Sequence, residues 1–358
     1  MLRRLALAAL VIALCAGCAP PAERAASNPS AAPPASATPP PSTAAGAPPA
    51  APAAAPTRLR VAISAISAIV APVWVALDEG LYRKYGLDVE FANFDGGTRA
   101  VTPIVTGDTP IGAVTSGAVI DARLQGTDLQ MFASLFDTYY FQIFSRREVR
   151  SPEDMRGRTM AASSAKSASE RAAIAALEPY GLQPGRDYQL TYVGSQSGRL
   201  AALEQGLVDA TVISPPFGLR AREAGFVELV DLMSMNIPYG HFVIASSERW
   251  AREHPDIMRA FVQAYSEALA LVRRDPDATK RAIAKYTQTE DPALLEESYQ
   301  VGFGQLPEIP LVREEVVRGA METSDHPQAR TAPPQQFYDN RFVQELEAAG
   351  FYRQLYGR

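Results

Sequence analysis

The 358-residue chain is predicted to have an α/β fold of two lobes, each a mostly parallel sheet flanked by helices. Short apolar runs alternate with helical segments between residues 59 and 231, as is typical of parallel sheets covered by helices. Two additional β-rich runs interrupt this order, at residues 139–144 and 239–246. We interpret them as crossover strands, which places residues 58–140 and 241–358 in lobe 1 and residues 141–240 in lobe 2.

The first part of lobe 1 contains four predicted strands with helices between them. The strands are expected at residues 59–64, 87–94, 111–115 and 129–135, and the helices at 72–78, at 98–106 and from 116 onward. Gly107 is placed to end the second helix, and Ser116 to cap the third. After the second crossover the pattern is helical, with helices expected at 249–273, 292–303 and 339–348.

Lobe 2 repeats the alternation after a short helix that Pro152 opens. Its strands are expected at residues 158–162, 188–193, 208–213 and 226–231, and its helices at 167–179, 196–205 and 217–224. Ser167 and Glu170 have the spacing of a capping box, so the first of these helices is expected to begin there.

A turn rich in serine, residues 163–169, precedes that helix and includes Lys166. A helix N-terminus presents unpaired N–H groups and a partial positive charge, so this turn could hold a small anion or a strongly polar head group. The alternative is that the serines only cap the helix and fill the turn.

The composition excludes several classes of function. The net charge is −5 with a pI near 5.4, and no basic cluster follows residue 5, which argues against nucleic acid as a partner. The two cysteines, Cys15 and Cys18, lie within the first twenty residues, and the three histidines have no metal-ligand spacing. We therefore expect no cofactor, no metal and no thiol nucleophile in the folded part.

The N-terminus reads as an export signal. Arg3 and Arg4 precede an apolar segment at residues 5–14 that is too short for a permanent membrane span. Residues 15–18 resemble the lipobox of bacterial lipoproteins, which predicts a signal peptide at residues 1–18 and lipid on Cys18; ordinary cleavage to a free protein is the alternative. Residues 19–57 are almost entirely Ala, Pro, Ser, Thr and Gly, a composition typical of a disordered tether.

Several motifs carry a family resemblance. They stand in order at residues 78–90 (DEGLYRKYGLDVE), 94–97 (FDGG), 107–108, 114–117 (VTSG), 155–159 (MRGRT) and 203–210 (LEQGLVDA). Over residues 59–270 the chain resembles ABC-transporter substrate-binding proteins of the nitrate/sulfonate/taurine and thiamine-pyrimidine-precursor group. The resemblance implies a type II periplasmic-binding-protein fold with two crossover strands. It also implies that the protein closes on a small molecule and delivers it to a permease.

The site is expected in the cleft, where loops follow the carboxyl ends of the strands. Glycines there let backbone N–H groups approach a ligand, hydroxyls hydrogen-bond it, and tyrosines at the crossovers wall the cleft, unless they only pack the hinge. The residues expected to bind ligand are Ser64, Ser67, Gly96, Gly97, Thr115, Ser116, Gly117, Tyr139, Tyr140, Ser163, Ser164, Lys166, Ser167, Pro215, Phe217 and Tyr239.

These observations predict a monomeric, lipid-anchored solute-binding protein, at the periplasmic or cell-surface side of a bacterial membrane, that serves an ABC permease and is not an enzyme. The ligand stays open between sulfonate, nitrate, a pyrimidine precursor, an aromatic acid and another heterocycle. Two alternatives are a pyrimidine-precursor synthase on the same fold, whose relatives depend on histidine and a cysteine-rich iron segment, and a ligand sensor without transport.

Overall fold

The computed structural model describes residues 55–303 and 306–358. The predicted signal peptide, Cys18 and nearly all of the predicted tether lie outside the described residues. The first strand begins at Thr57, one residue inside the segment that the sequence assigns to the tether.

The first run of elements builds one sheet and its helices. These elements are β1 (Thr57–Ile63), α1 (Ala71–Asp78), α2 (Leu81–Lys84), β2 (Leu87–Asn93), α3 (Gly97–Thr106), β3 (Ile111–Val114), α4 (Ser116–Leu124) and β4 (Leu129–Thr138). The strands form where apolar and β-branched residues run together, and glycines such as Gly107, with φ of 88°, end the helices.

The middle of the chain builds a second sheet. Its elements are β5 (Gln142–Ser145), β6 (Thr159–Ala162), α5 (Ala168–Leu177), β7 (Gln189–Tyr192), α6 (Gln196–Glu204), β8 (Ala210–Ile213), α7 (Phe217–Glu223) and β9 (Val227–Asp231). Ser167 caps α5 by accepting a hydrogen bond from the Glu170 N–H, so the helix begins where the sequence predicts it.

The remaining chain returns to the first sheet and then becomes helical. It comprises β10 (Pro238–Ser247), α8 (Glu248–Glu253), α9 (Pro255–Arg274), α10 (Pro276–Thr287), α11 (Pro292–Phe303), α12 (Glu314–Glu322), α13 (Arg341–Ala348) and α14 (Phe351–Tyr356). None of the helices in the described ranges has the length and apolar character needed to cross a bilayer.

Each sheet has five strands and the same plan. The orders are β2-β1-β3-β10-β4 and β7-β6-β8-β5-β9, so the chain passes between sheets after β4 and again after β9. In the first sheet β1 is parallel to β2 and β3, while β10 is antiparallel to β3 and β4. In the second sheet β6 is parallel to β7 and β8, while β5 is antiparallel to β8 and β9. The predicted fold class is confirmed. The first strand after each crossing, β5 or β10, is antiparallel to both of its neighbours, which makes each sheet mixed.

The larger core lies between the first sheet and helices α1 and α9. Met258, Phe261, Tyr265 and Leu269 recur at helical spacing along α9 and are fully buried. They pack with Trp74 of α1 in one continuous apolar cluster. Each such side chain contributes roughly 1.5–3 kcal/mol by leaving water, so this layer holds the first sheet rigid behind the loops that follow its strands.

Candidate functional site

A cavity of about 430 Å³ lies between the two sheets. The loops after β1, β2 and β3 line one side, together with β10 and the end of α10. The loops after β6 and β7 line the other side, with α6 and the start of α7, the helix that follows β8. This is where an open parallel sheet places its ligands, because the carboxyl ends of neighbouring strands meet at one edge.

Half of the residues predicted for the site line this cavity. They are Ser64, Ser67, Gly96, Gly97, Thr115, Ser163, Ser167 and Phe217. Gly97 is required where it stands, since an added Cβ would lie 2.6 Å from the Thr115 hydroxyl oxygen. The segments after β1, β2, β3 and β6 therefore converge as the sequence predicts, whereas after β8 it is Phe217, at the start of α7, that reaches the cavity.

The other half lie outside the lining. They are Ser116, Gly117, Tyr139, Tyr140, Ser164, Lys166, Pro215 and Tyr239. Tyr139 and Tyr239 stack on one another with ring centroids 4.2 Å apart and are fully buried at the crossings, as hinge packing requires. Tyr140 packs edge-on against Phe136. These tyrosines fill the hinge and do not wall the cleft.

The serine turn forms an internal hydrogen-bond cluster. The Ser169 hydroxyl lies 3.0 Å from both the Ser163 and Ser167 hydroxyls and accepts from the Ser163 N–H at 2.9 Å. Lys166 is exposed, and its N–H donates to the Glu170 carboxylate at 2.7 Å, which folds that acid back onto the turn. The hydroxyls of Ser163, Ser167 and Ser169 therefore line the cavity, whereas Lys166 lies outside the lining and the Glu170 carboxylate is held by the backbone of the turn.

Arg199 is a buried cation that the sequence-based site does not contain. It lines the cavity from α6 and is 2% exposed. Its Nε donates to the Val212 carbonyl at 2.9 Å and its Nη1 to the Gly194 carbonyl, and no carboxylate of the described residues lies within ion-pair distance. Burial lowers the pKa of Arg199 to about 10, against the opposing effect of Asp95. The sequence does indicate that Arg199 is buried, because it stands four residues before Leu203 and so lies on the apolar face of α6.

His241 is another buried polar residue that is absent from the predicted site. It lies on β10, is 3% exposed, and lines the cavity. Its Nδ1 accepts a hydrogen bond from the Tyr140 N–H at 2.8 Å, so the neutral ring carries its proton on Nε2. Burial lowers the pKa of His241 to about 3, which keeps the ring neutral.

Aromatic rings complete the walls of the cavity. Phe141 lies 4.5 Å from the His241 ring, and Phe217 faces the cavity from the start of α7. Tyr286 stacks on Trp74 at 4.7 Å between centroids and thereby presents a fixed face. Flat apolar walls with a few buried polar atoms suit a planar organic molecule.

The lobes contact each other around the cavity. The Ser67 and Ser214 hydroxyls lie 2.8 Å apart, and the Gln196 amide donates to the Ile66 carbonyl at 3.0 Å. Outside the cavity lining, the buried Arg171 of α5 forms an ion pair with Asp121 of α4. These contacts join elements of the first and second sheets beside the same volume.

Comparisons with known proteins agree with this architecture. A family model described as NMT1/THI5 like matches residues 68–279. The riboflavin-binding protein RibY of Chloroflexus aurantiacus is 30% identical over 216 residues, a match that spans 58% of this chain and 60% of the length of RibY.

Two solved structures share the fold at low identity. The alkanesulfonate-binding protein SsuA of Xanthomonas axonopodis pv. citri, bound to MOPS, has a TM-score of 0.66 and 19% identity, covering 80% of this chain and 100% of SsuA. The periplasmic nitrate-binding protein NrtA of Synechocystis PCC 6803 also has a TM-score of 0.66, with 14% identity, covering 82% of this chain and 89% of NrtA. The resemblance predicted from the sequence motifs is thereby confirmed. This chain belongs to the NMT1/THI5-like family and has a fold shared with periplasmic binding proteins.

Proposed function

We propose that this protein is a lipid-anchored extracytoplasmic solute-binding protein that captures a small organic molecule between its lobes and delivers it to an ABC importer. The observation that carries the proposal is the cavity of about 430 Å³ lined by both lobes, with a buried guanidinium, a neutral imidazole and aromatic walls. A molecule that bridges the two lobes favours the closed arrangement over the open one, and closure is what a permease can recognise.

The dimensions of the cavity favour an organic ring over a bare oxyanion. Its volume lies within the range of about 300–1,000 Å³ typical of small-molecule sites. This volume is far larger than nitrate needs. The similarity to RibY supports a ring of flavin size, and the fold shared with SsuA supports a sulfonate-bearing molecule as the second ligand class.

The anchoring and the partner complete the proposal. Cys18 stands at the position that a lipobox would lipidate, and a tether at residues 19–57 would let a monomeric receptor reach its permease from the membrane surface. We assign no catalytic role, because the lining residues serve to bind and orient a ligand.

A thermal-shift and titration screen of the mature protein tests the proposal. The panel consists of riboflavin, alkanesulfonates, aromatic acids, pyrimidines and nitrate. A ligand at a hundred times its dissociation constant stabilises the native state by about 2.7 kcal/mol, which should raise Tm by several degrees. Saturable binding without turnover is expected; steady conversion of a bound compound would instead support the synthase alternative, and no binding across the panel would contradict the receptor.

A further inference from the structure

Among the buried side chains that line the cavity, two nitrogen atoms have hydrogen to donate and no acceptor within the described part of the chain. One is Nε2 of His241, on the first sheet, and the other is Nη2 of Arg199, on a helix of the second lobe. Both side chains are nearly fully buried, with exposures of 3% and 2%. The two nitrogens are reached from the cavity, where water or a ligand must supply the acceptor, so together they indicate what kind of ligand the cavity receives.

His241 can only donate. The Tyr140 N–H occupies Nδ1 from 2.8 Å away, so this nitrogen holds the lone pair and Nε2 holds the proton. The ring is fixed between Phe141 at 4.5 Å and Phe242 at 5.6 Å between centroids. A ligand atom opposite Nε2 must therefore be an acceptor, since a ligand N–H or NH₂ group would leave two donors facing each other.

Arg199 adds charge to the same requirement. Two backbone carbonyls hold Nε and Nη1, which fixes the plane of the guanidinium and leaves Nη2 for another acceptor. Asp95 lines the cavity but lies beyond ion-pair distance of the guanidinium, and its carboxylate accepts from the Asn93 amide at 2.8 Å. The positive charge is thus not neutralised by direct contact, which favours a carbonyl or oxyanion on the ligand.

We infer that His241 and Arg199 determine specificity, and that the cavity takes a planar aromatic molecule with a carbonyl or oxyanion acceptor for each of them. Cyclic imides and aromatic sulfonates or carboxylates meet this requirement. A ring that offers only amino groups at its edge does not. The inference rests on the proposed receptor function and names the ligand class of the same cavity.

Two substitutions at His241 separate its hydrogen bond to the ligand from the hydrogen bond that it accepts from the Tyr140 N–H. In His241→Gln the amide nitrogen can replace Nε2 as a donor, whereas in His241→Asn the shorter amide can still accept from Tyr140 N–H but does not reach the ligand. Arg199→Met removes the charge and retains the volume. Circular dichroism and thermal melting establish that each purified full-length variant is folded.

The measurement is the dissociation constant of riboflavin and of benzenesulfonate, with aniline as the comparison ring that carries an amino group and neither a carbonyl nor an oxyanion. Wild type is expected to bind an acceptor probe and to bind aniline more weakly. His241→Asn and Arg199→Met should each weaken the acceptor probe about tenfold or more, and His241→Gln should retain most of the affinity.

The outcomes distinguish the inference from the proposed function. Acceptor probes that bind the wild type, His241→Asn and Arg199→Met equally well would overturn the inference and leave the receptor standing. Preferential binding of aniline over benzenesulfonate would overturn it as well. A wild type that binds no probe and no member of the wider panel would contradict the receptor itself, and the inference with it.

Discussion

The stability of this protein should fall with acid through one buried residue, His241. Its imidazole is neutral in the folded protein because burial lowers its pKa to about 3, whereas an unfolded histidine titrates near 6.5. Below pH 6.5 the unfolded chain binds a proton that the folded chain refuses. The free energy of unfolding therefore decreases as pH falls from about 6.5 towards 3.

The magnitude follows from these two pKa values. The free energy of unfolding falls by about 1.4 kcal/mol for each pH unit between the two pKa values. From pH 7 to pH 5, protonation of the unfolded state lowers it by about 2 kcal/mol. For a folded body of about 300 residues, with an unfolding entropy near 2.1 cal/mol/K per residue, this corresponds to a decrease in Tm of roughly 3 °C.

Calorimetry of wild type and His241→Asn at the two pH values measures this contribution. The variant keeps an acceptor for the Tyr140 N–H but has no group that titrates in this range. Titration of the carboxylates affects both proteins equally, so it cancels in the difference between their free energies of unfolding. The stability advantage of wild type over the variant should therefore narrow by about 2 kcal/mol at pH 5. An advantage that stays constant between pH 7 and pH 5, or an imidazole seen by NMR to be charged at pH 5 in the folded protein, would refute the reasoning.

Three further substitutions probe the contacts between and within the lobes. Asp121→Asn leaves the buried Arg171 without its carboxylate, and urea unfolding should show a loss of about 3–5 kcal/mol; a loss below 1 kcal/mol would mean that the pair is solvated. Gly319→Ala places a Cβ 2.1 Å from the Pro238 carbonyl oxygen, so it should lower the free energy of unfolding by about 1–3 kcal/mol in thermal melts, and an unchanged Tm would contradict this packing. Gln196→Ala removes an amide that bonds both lobes, and small-angle scattering of the variant should show a larger radius of gyration than wild type, since the open arrangement gains population.

The fold could be predicted from local pattern because its strands are short apolar runs with clear ends. The predicted strand at residues 158–162 corresponds to β6 at Thr159–Ala162. The first crossover differs: β4 continues to Thr138, beyond the predicted end at residue 135, because it pairs with the long strand β10. Residues 139–141 then leave the ladder, although they are aromatic and β-prone, because the chain passes between sheets there. Where such a strand ends depends on its pairing with a strand that is distant in the sequence, and local residue propensity carries no information on that pairing.

The site was predictable only where topology alone decides position. Loops after parallel strands must converge, so Ser64, Gly97 and Ser163 could be assigned to the cleft from their place in the order of strands. Side-chain direction could not be assigned in the same way. Tyr139 and Tyr239 turn towards each other in the hinge, whereas His241, two residues after Tyr239 along β10, lines the cavity. Neighbouring elements, and not the local sequence, determine which of these side chains reach the cavity.

His241 and Arg199, which line the cavity from different lobes, give closure a direct dependence on ligand chemistry. In the open arrangement water can accept from Nε2 of His241 and Nη2 of Arg199. In the closed arrangement a ligand with an acceptor for each atom bonds both lobes at once. A net hydrogen bond contributes about 0.5–1.5 kcal/mol, and one to a charged group about 1.5–3 kcal/mol, so the preference of such a ligand for the closed arrangement is about 2–4.5 kcal/mol from these bonds alone. A shift of a two-state equilibrium from 1:99 to 99:1 requires about 5.5 kcal/mol. The same pair of donors that selects the ligand can therefore supply a large part of the free energy that closes the lobes around it.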